Sequence, residues 1–587
     1  MPLGTKEERI EKVVELFDWL EYTVFGASLL LCMLIGVWFG FIKKAGQDTV
    51  EGYMLGGKQM KLVPVALSLI SSFISGITLL GVPAEVYEFG VLIMGAAAGM
   101  IINGIISSIV FVPVFYDLQL LSLYEYLELR FNRHVRKTAS ALYIFITLIW
   151  VALAVYVPAL AMNLVTGLNV HFVTSISSLV CIFYTTVGGL KAVVWTDTLQ
   201  SILMVGSLIV VMVAGTFHVG GLSKILEVSA EGGRLEFFDR MHLGLTDRMT
   251  FWSSVLGYSV FWTYATSNSS AMVQRFLSLP TKRLALQSLF WYVLGCVFFF
   301  SAACYIGLAM YTMYLDCDPI TAGLAKKPEQ VTPMFVLEAV GHIKGIPGLF
   351  LSGVFAAALS TMATAINALA ALIYEDFIVM VLKKRPEDKV ASRYMKWISL
   401  IIGIVTVCLV FLVEKLGAVL VISSMFGGAV AGIMLGIFTL GLLAPFANVT
   451  GAFWGFGVSA AYMAWTIVGF NYYSQNGVIK YQKLKFSVEK CLFNVTSAIE
   501  GPWDNSMKEE DVFPIYRLSI FWYSVVSFLI TIVVGIVVSK LTGGRRSTFA
   551  EKKLFHPFVH KFLIKKDDIK LGDVNGYVEV PVQDAKV

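Results

Sequence analysis

Apolar runs of about twenty residues recur from one end of this chain to the other, and a run of that length is what an α-helix needs to cross hydrocarbon. With no water in a bilayer core, only helices or closed barrels satisfy their own backbone groups. The runs are continuous rather than alternating, which selects helices. Composition agrees: 57% of the 587 residues are hydrophobic and 14% charged, against about 25% charge in a soluble domain. Mean hydropathy is +0.76. The net charge of +5 is spread over short loops, so it speaks to orientation in the lipid bilayer and not to nucleic acid. Residues 1–21 are polar with Glu and Lys interleaved and lack the basic start and short apolar core of a cleaved signal, so the first helix is expected to stay.

The fold class expected is an all-α integral membrane protein with about 13 transmembrane helices. They fall near 22–43, 62–82, 91–115, 138–165, 170–188, 194–216, 251–273, 287–314, 346–380, 395–413, 417–443, 449–470 and 517–539. Lys43, Lys44, Lys58, Lys61, the Arg130–Lys137 cluster and the Lys383–Lys396 cluster all fall on one side, whereas the opposite loop 81–90 carries Glu85 and Glu88 and no Lys or Arg. The positive-inside rule then places the tail 1–21 and the long loops 217–250 and 471–516 outside, and the tail 540–587 in the cytoplasm of a plasma-membrane protein. Asn494 begins a glycosylation sequon in an outer loop, whereas the sequon at Asn448 lies in a tight inner turn. Cys317 and Cys491 sit in two long polar loops and can pair if both are extracellular. The other five cysteines lie in apolar segments and read as small core residues. The C-terminus ends Asp584-Ala585-Lys586-Val587, a weak hint of a peptide-binding partner.

Four stretches carry polar chemistry at membrane depth. The second segment holds Ser68, Ser71, Ser72, Ser75, Gly76 and Thr78, which suits either a helix that unwinds and offers carbonyls to a cation or close packing through small residues. In the ninth, Ser360 and Thr361 are adjacent hydroxyls in a run of small residues, read as oxygen ligands for a hard monovalent cation or as groups bonded to their own turn. Asp197 begins an otherwise uncharged helix and is costly there unless functional or paired, with Lys191 the nearby candidate for an interfacial ion pair. The seventh segment crowds Thr263, Thr266, Ser267, Asn268, Ser269 and Ser270 before Gln274-Arg275. A second breakable helix five after the first is the spacing of an inverted repeat.

The stretches Thr185–Gln200 and Val273–Phe276 resemble the two signatures of the sodium:solute symporter family. Ser68–Glu85, Val157–Leu160 and Leu359–Asn367 resemble its branch that carries iodide, monocarboxylates and vitamins. That resemblance implies two inverted five-helix repeats over 62–216 and 251–443, preceded by one helix and followed by two within 449–539. It implies a co-transported sodium on the carbonyls of Ser71, Ile74 and Ala357 and the hydroxyls of Ser360 and Thr361. The solute pocket would map onto Phe73, Ser75, Thr78, Trp150, Trp262, Thr266, Ser269 and Ser270, with Asp197 in a coupling or gating role. The branch has Gln at Thr78, Tyr at Trp150 and Asn-Gln at Ser269-Ser270, so no solute is named beyond a small organic solute or anion. The expected activity is sodium-coupled symport by alternating access, the alternative a sensor of the same fold without transport. An enzyme is not expected, because no acid–base cluster sits at membrane depth.

Overall fold

The computed structural model describes residues 17–42, 49–383, 385–414, 419–489, 491, 511–545, 547 and 549–563. Asn494, Lys43, Lys44 and the last four residues lie outside them. The described chain is helical. The principal helices are α1 (Trp19–Ile42), α2 (Leu62–Phe73), α3 (Ile77–Phe89), α4 (Val91–Leu118), α5 (Arg133–Thr166) and α6 (Val170–His218). Then follow α7 (Phe251–Ser267), α8 (Ser270–Leu277), α9 (Lys282–Met313), the short α10 (Val331–Val340) and α11 (Ile346–Leu382). The last four are α12 (Asp388–Val413), α13 (Val419–Leu443), α14 (Val449–Gln475) and α15 (Ile520–Leu541).

Among the described residues, ten helices are long and apolar enough to cross a membrane, or eleven if α2 and α3 together make one bent span. Their outer faces are hydrocarbon: Ile101, Ile105 and Ile109, each four residues from the next on α4, are more than half exposed, a stripe that only lipid would cover.

Four details differ from the sequence reading. The expected fifth and sixth segments form the 49-residue α6, bent at Gly189, whose φ of 57° and ψ of −162° suit glycine alone. At about 1.5 Å per residue, 49 residues reach far beyond the ~30 Å of hydrocarbon, so a break is required. The seventh segment stops at Ser267 after 17 residues, and the chain crosses Asn268 and Ser269 in non-helical geometry before α8. The stretch 81–90, expected as a loop, is mostly helix, so Glu85 and Glu88 project from α3. Cys408 is exposed rather than buried, on the outer side of α12.

The break between α2 and α3 bends the chain by 58°. It falls where Ile74 leaves helical geometry at ψ 110°, followed by Ser75 and Gly76. Gly76 lies against α5, where a Cβ would come within 2.9 Å of the Pro158 ring. The small residues allow this approach, and α2 is held between α6, α9 and α11. At the far end of α3 the loop after α14 folds back over the core: the Leu484 N–H donates to the Glu88 carbonyl at 3.0 Å and Arg234 donates to the Lys485 carbonyl at 2.8 Å. Cys317 and Cys491 are joined in a disulfide that ties down the same loop, with Cα atoms 5.0 Å apart.

Candidate ion and solute sites

The oxygen donors picked out on α2 and α11 meet, although they lie 289 residues apart in the chain. Ser360 Oγ donates to the Ser71 carbonyl at 2.5 Å, and Thr361 Oγ1 donates to the Ser72 carbonyl at 3.2 Å. Both hydroxyls also lie within bonding distance of the Ala357 carbonyl, at 3.1 and 2.9 Å. Ile74 is the residue at which α2 ends, so the helix terminates beside this cluster and leaves carbonyls without intrahelical partners. Ser71, Ala357 and Ser360 are fully buried and Thr361 nearly so. Carbonyl and hydroxyl oxygens with no carboxylate among them form a neutral donor set that suits a hard monovalent cation able to leave again.

One turn along the same two helices lies a buried charge pair. Arg275 of α8 donates to Asp197 Oδ2 at 3.1 Å, and their side chains are 1% and 0% exposed. Asp197 Oδ2 also accepts from Ser68 at 2.6 Å and Ser72 at 3.2 Å, while Ser72 and Thr364 share a bond at 2.6 Å. Arg275 further donates to Ser68 at 2.7 Å, to the Ala271 carbonyl at 2.9 Å and to Thr364. The pairing of Asp197 with Lys191 is therefore corrected: the partner comes from α8, because residues six apart on one helix lie about 120° apart around its axis and Asp197 is on a fully buried face. Ser72 carries a carbonyl toward Thr361 and a hydroxyl toward Asp197, which links the two clusters. Asp197 Oδ1 has no hydrogen-bond partner among the described residues.

The expected solute residues divide. Thr78, Trp150 and Trp262 line a cavity that leaves about 50 Å³ open to the centre of a water molecule, room for a few waters or a small solute. Phe73 lies behind it, its ring edge-on to Trp262 at 4.6 Å and to Tyr292 at 5.5 Å. Ser75 is fully buried, and its hydroxyl has no partner among the described residues. Thr266 is bonded to Asn103 at 3.0 Å and Tyr292 at 3.3 Å, in a chain that continues through Ser107 to Ser267. Ser269 meets Tyr143 at 3.1 Å and Ser270 meets Gln274 at 3.5 Å, so neither Thr266 nor this serine pair lines the cavity.

Sequence reasoning missed the rest of the wall. Tyr258 and Phe261 on α7, Ser423 and Ser424 on α13, and Phe521 and Ser524 at the start of α15 complete it. Gly257 permits the closure, since a Cβ there would fall 2.1 Å from the Phe521 carbonyl oxygen. The signal available was the spacing of Ser254, Tyr258, Phe261 and Trp262, which put hydroxyls and rings on one face of α7; nothing local marked α15. Among the described residues the wall holds no charged side chain. Thr78 donates its N–H to the Ser75 carbonyl at 3.0 Å, so one broken helix joins the oxygen cluster to the cavity.

The model of the sodium:solute symporter family matches residues 53–458. Sodium-coupled monocarboxylate transporter 2 of Mus musculus is 36% identical over 551 residues, spanning 94% of this chain and 88% of that one. Sodium-coupled monocarboxylate transporter 1 of Homo sapiens is 35% identical over 587 residues, with 96% and 94% covered. The human sodium/iodide cotransporter is 33% identical over 595 residues, with 97% and 92% covered. Among solved structures, the substrate-bound outward-open state of a Na+-coupled sialic acid symporter superposes with a TM-score of 0.73 at 23% identity, over 90% of this chain and 99% of that one. The fold is shared.

Proposed function

Since this chain belongs to the sodium:solute symporter family, and is a sodium-coupled multi-pass membrane carrier rather than an enzyme, we propose that it imports a small organic monocarboxylate. The observation that carries this reading is the broken α2–α3 helix, with the oxygen cluster on one side of the break and the cavity on the other. A cation held by the carbonyls of Ser71, Ile74 and Ala357 and the hydroxyls of Ser360 and Thr361 would fix the break. Thr78, three to four residues further on, would then hold its place in the solute wall. A ligand shifts a conformational equilibrium only through its different affinity for the two states, and a cation bound across α2 and α11 supplies that difference.

Relatives named for monocarboxylates support the solute class, as does an apolar wall with scattered hydroxyls, which suits a short hydrocarbon tail. In this reading α6 is two spans, α2–α3 and α7–α8 are each one broken span, and the total is 13 in a five-plus-five repeat. Residues 1–21 and the disulfide loop face outward and the Arg275 end faces the cytoplasm. Asp197 and Arg275 form the inner closure. The membrane potential adds about 2.3 kcal/mol per 100 mV for each charge that enters.

Uptake of labelled propionate by cells expressing the chain, in sodium and in choline medium, tests the reading. Accumulation against a gradient in sodium alone is the expected result. Sodium currents on adding propionate without net uptake would replace the carrier by a sensor.

A further inference from the structure

The described cavity wall is neutral, yet an arginine lies next to it. Glu85 lies one turn beyond Val82, a wall residue on α3, and Arg248 lies three residues ahead of α7. Arg248 donates to both oxygens of Glu85, at 2.6 and 2.8 Å. Their side chains are 10% and 5% exposed. The guanidinium stands 3.5 Å from the centre of the Phe89 ring, 5.4 Å from Tyr481 and 6.0 Å from Phe521, itself a wall residue. The Arg248 carbonyl accepts from Ser519 at 2.5 Å, and Ile520 and Phe521 follow directly into the wall. One arginine thus lies against three of the elements that build the cavity: α3, the start of α7 and the start of α15.

We propose that Arg248 receives the carboxylate of the solute at the mouth of the cavity, and that the incoming anion takes the guanidinium fork that Glu85 holds in this structure. The inference rests on the solute being a carboxylate. Such an anion is held best by charge-assisted donors, and the described wall offers hydroxyls, rings and indole N–H groups, none of them charged. The exchange replaces one bidentate carboxylate by another on the same planar fork, which the aromatic rings keep in place after Glu85 has left. Nε of Arg248 has no hydrogen-bond partner among the described residues, so the side chain retains a donor for a second ligand oxygen. Glu85, once displaced, faces the opened mouth and is hydrated there. The neighbouring Glu88 is already held by Lys483 at 2.6 Å and does not compete for Arg248.

A latch that merely shuts the mouth makes the opposite forecast, because both halves of a latch fail alike. The test is the KM for labelled propionate in Arg248→Gln, Arg248→Lys and Glu85→Gln, with cell-surface amount and half-saturating sodium measured for each. The expected outcome is a KM at least about tenfold higher in Arg248→Gln, the loss of a charged hydrogen-bonding partner. Arg248→Lys should fall between that variant and the unaltered chain. Glu85→Gln, which frees the fork, should lower KM and make formate a stronger competitor, with half-saturating sodium unchanged throughout. An increase of KM in Glu85→Gln equal to that in Arg248→Gln overturns the proposal, as does full recovery in the charge-swapped pair Glu85→Arg with Arg248→Glu. Glu85→Gln decides the sign alone if the arginine variants fail to reach the surface. Transport of propionamide by the unaltered chain as well as propionate would instead sink the carboxylate reading itself.

Discussion

The oxygen cluster and the solute cavity share one broken helix but are built in opposite ways. The cluster uses two helices, α2 and α11, and hydrogen bonds cross between them at Ser71–Ser360 and Ser72–Thr361. Its neighbour, the Asp197–Arg275 pair, is equally dense. The cavity draws on six elements and is mostly ring and aliphatic surface, with Ser75 beside it carrying a hydroxyl that no described residue satisfies. A site for a small ion needs oxygen atoms of fixed identity, which particular residues supply. A site for a solute needs a shape, which many residue choices can supply.

That contrast can be broken most forcefully at the charge pair. Asp197→Leu leaves Arg275 buried without its anion, a loss of about 3–5 kcal/mol. It should abolish surface expression or lower thermal stability sharply, and the double variant Asp197→Leu with Arg275→Met should recover folding without recovering sodium-driven uptake. Recovery of uptake by the double variant would confine the pair to a structural role. Next in size, Ser360→Ala and Thr361→Ala should each raise half-saturating sodium about two- to tenfold, the worth of one hydrogen bond or ligand, with solute KM unchanged at saturating sodium. Unaltered sodium dependence in both would empty the cluster of its assignment.

On the cavity side the expected effects are smaller and of the other kind. Thr78→Val and Tyr258→Phe keep shape but remove a hydroxyl, and should change the propionate KM by about threefold or less while half-saturating sodium stays fixed. If either moved sodium affinity as strongly as Ser360→Ala does, the division between the two regions would be wrong. The smallest effect concerns Glu329, in the turn before α10, whose carboxyl accepts the Val419 N–H at 3.1 Å next to the wall residue Leu420. Burial pushes this carboxyl above the ordinary range. The stability gained from protonation is complete below its unfolded value and lost as pH rises through the raised folded one. Glu329→Gln should therefore be slightly more stable than the unaltered chain at neutral pH and should lack its gain on mild acidification, as a thermal melt would measure.

Part of the ion side was legible because lipid leaves few alternatives. Adjacent hydroxyls in an apolar helix, and serines with a glycine at mid-depth, have few inexpensive roles, and Ser360 and Thr361 do meet the serine-rich end of α2, whereas the full set with Ile74 and Ala357 came from the family resemblance. The two broken helices were marked in the same way, by Ser75-Gly76 and by Asn268-Ser269. Arg275 was visible as the end of a helix and within a stretch that resembles a family signature, but its pairing with Asp197 spans 78 residues and no local pattern shows it.

The sequence by itself determined the solvent, the helical class and the oxygen donors, because hydrocarbon penalises every unsatisfied polar group and so writes its demands into local composition. Only the tertiary structure decided that Asp197 faces Arg275 rather than Lys191, that Thr266 is bound to Asn103, and that Phe521 and Ser524 close the cavity. Those outcomes follow from how helices cross, which is set by shape matching between distant faces such as Gly257 against the Phe521 backbone, and no local pattern encodes such a match.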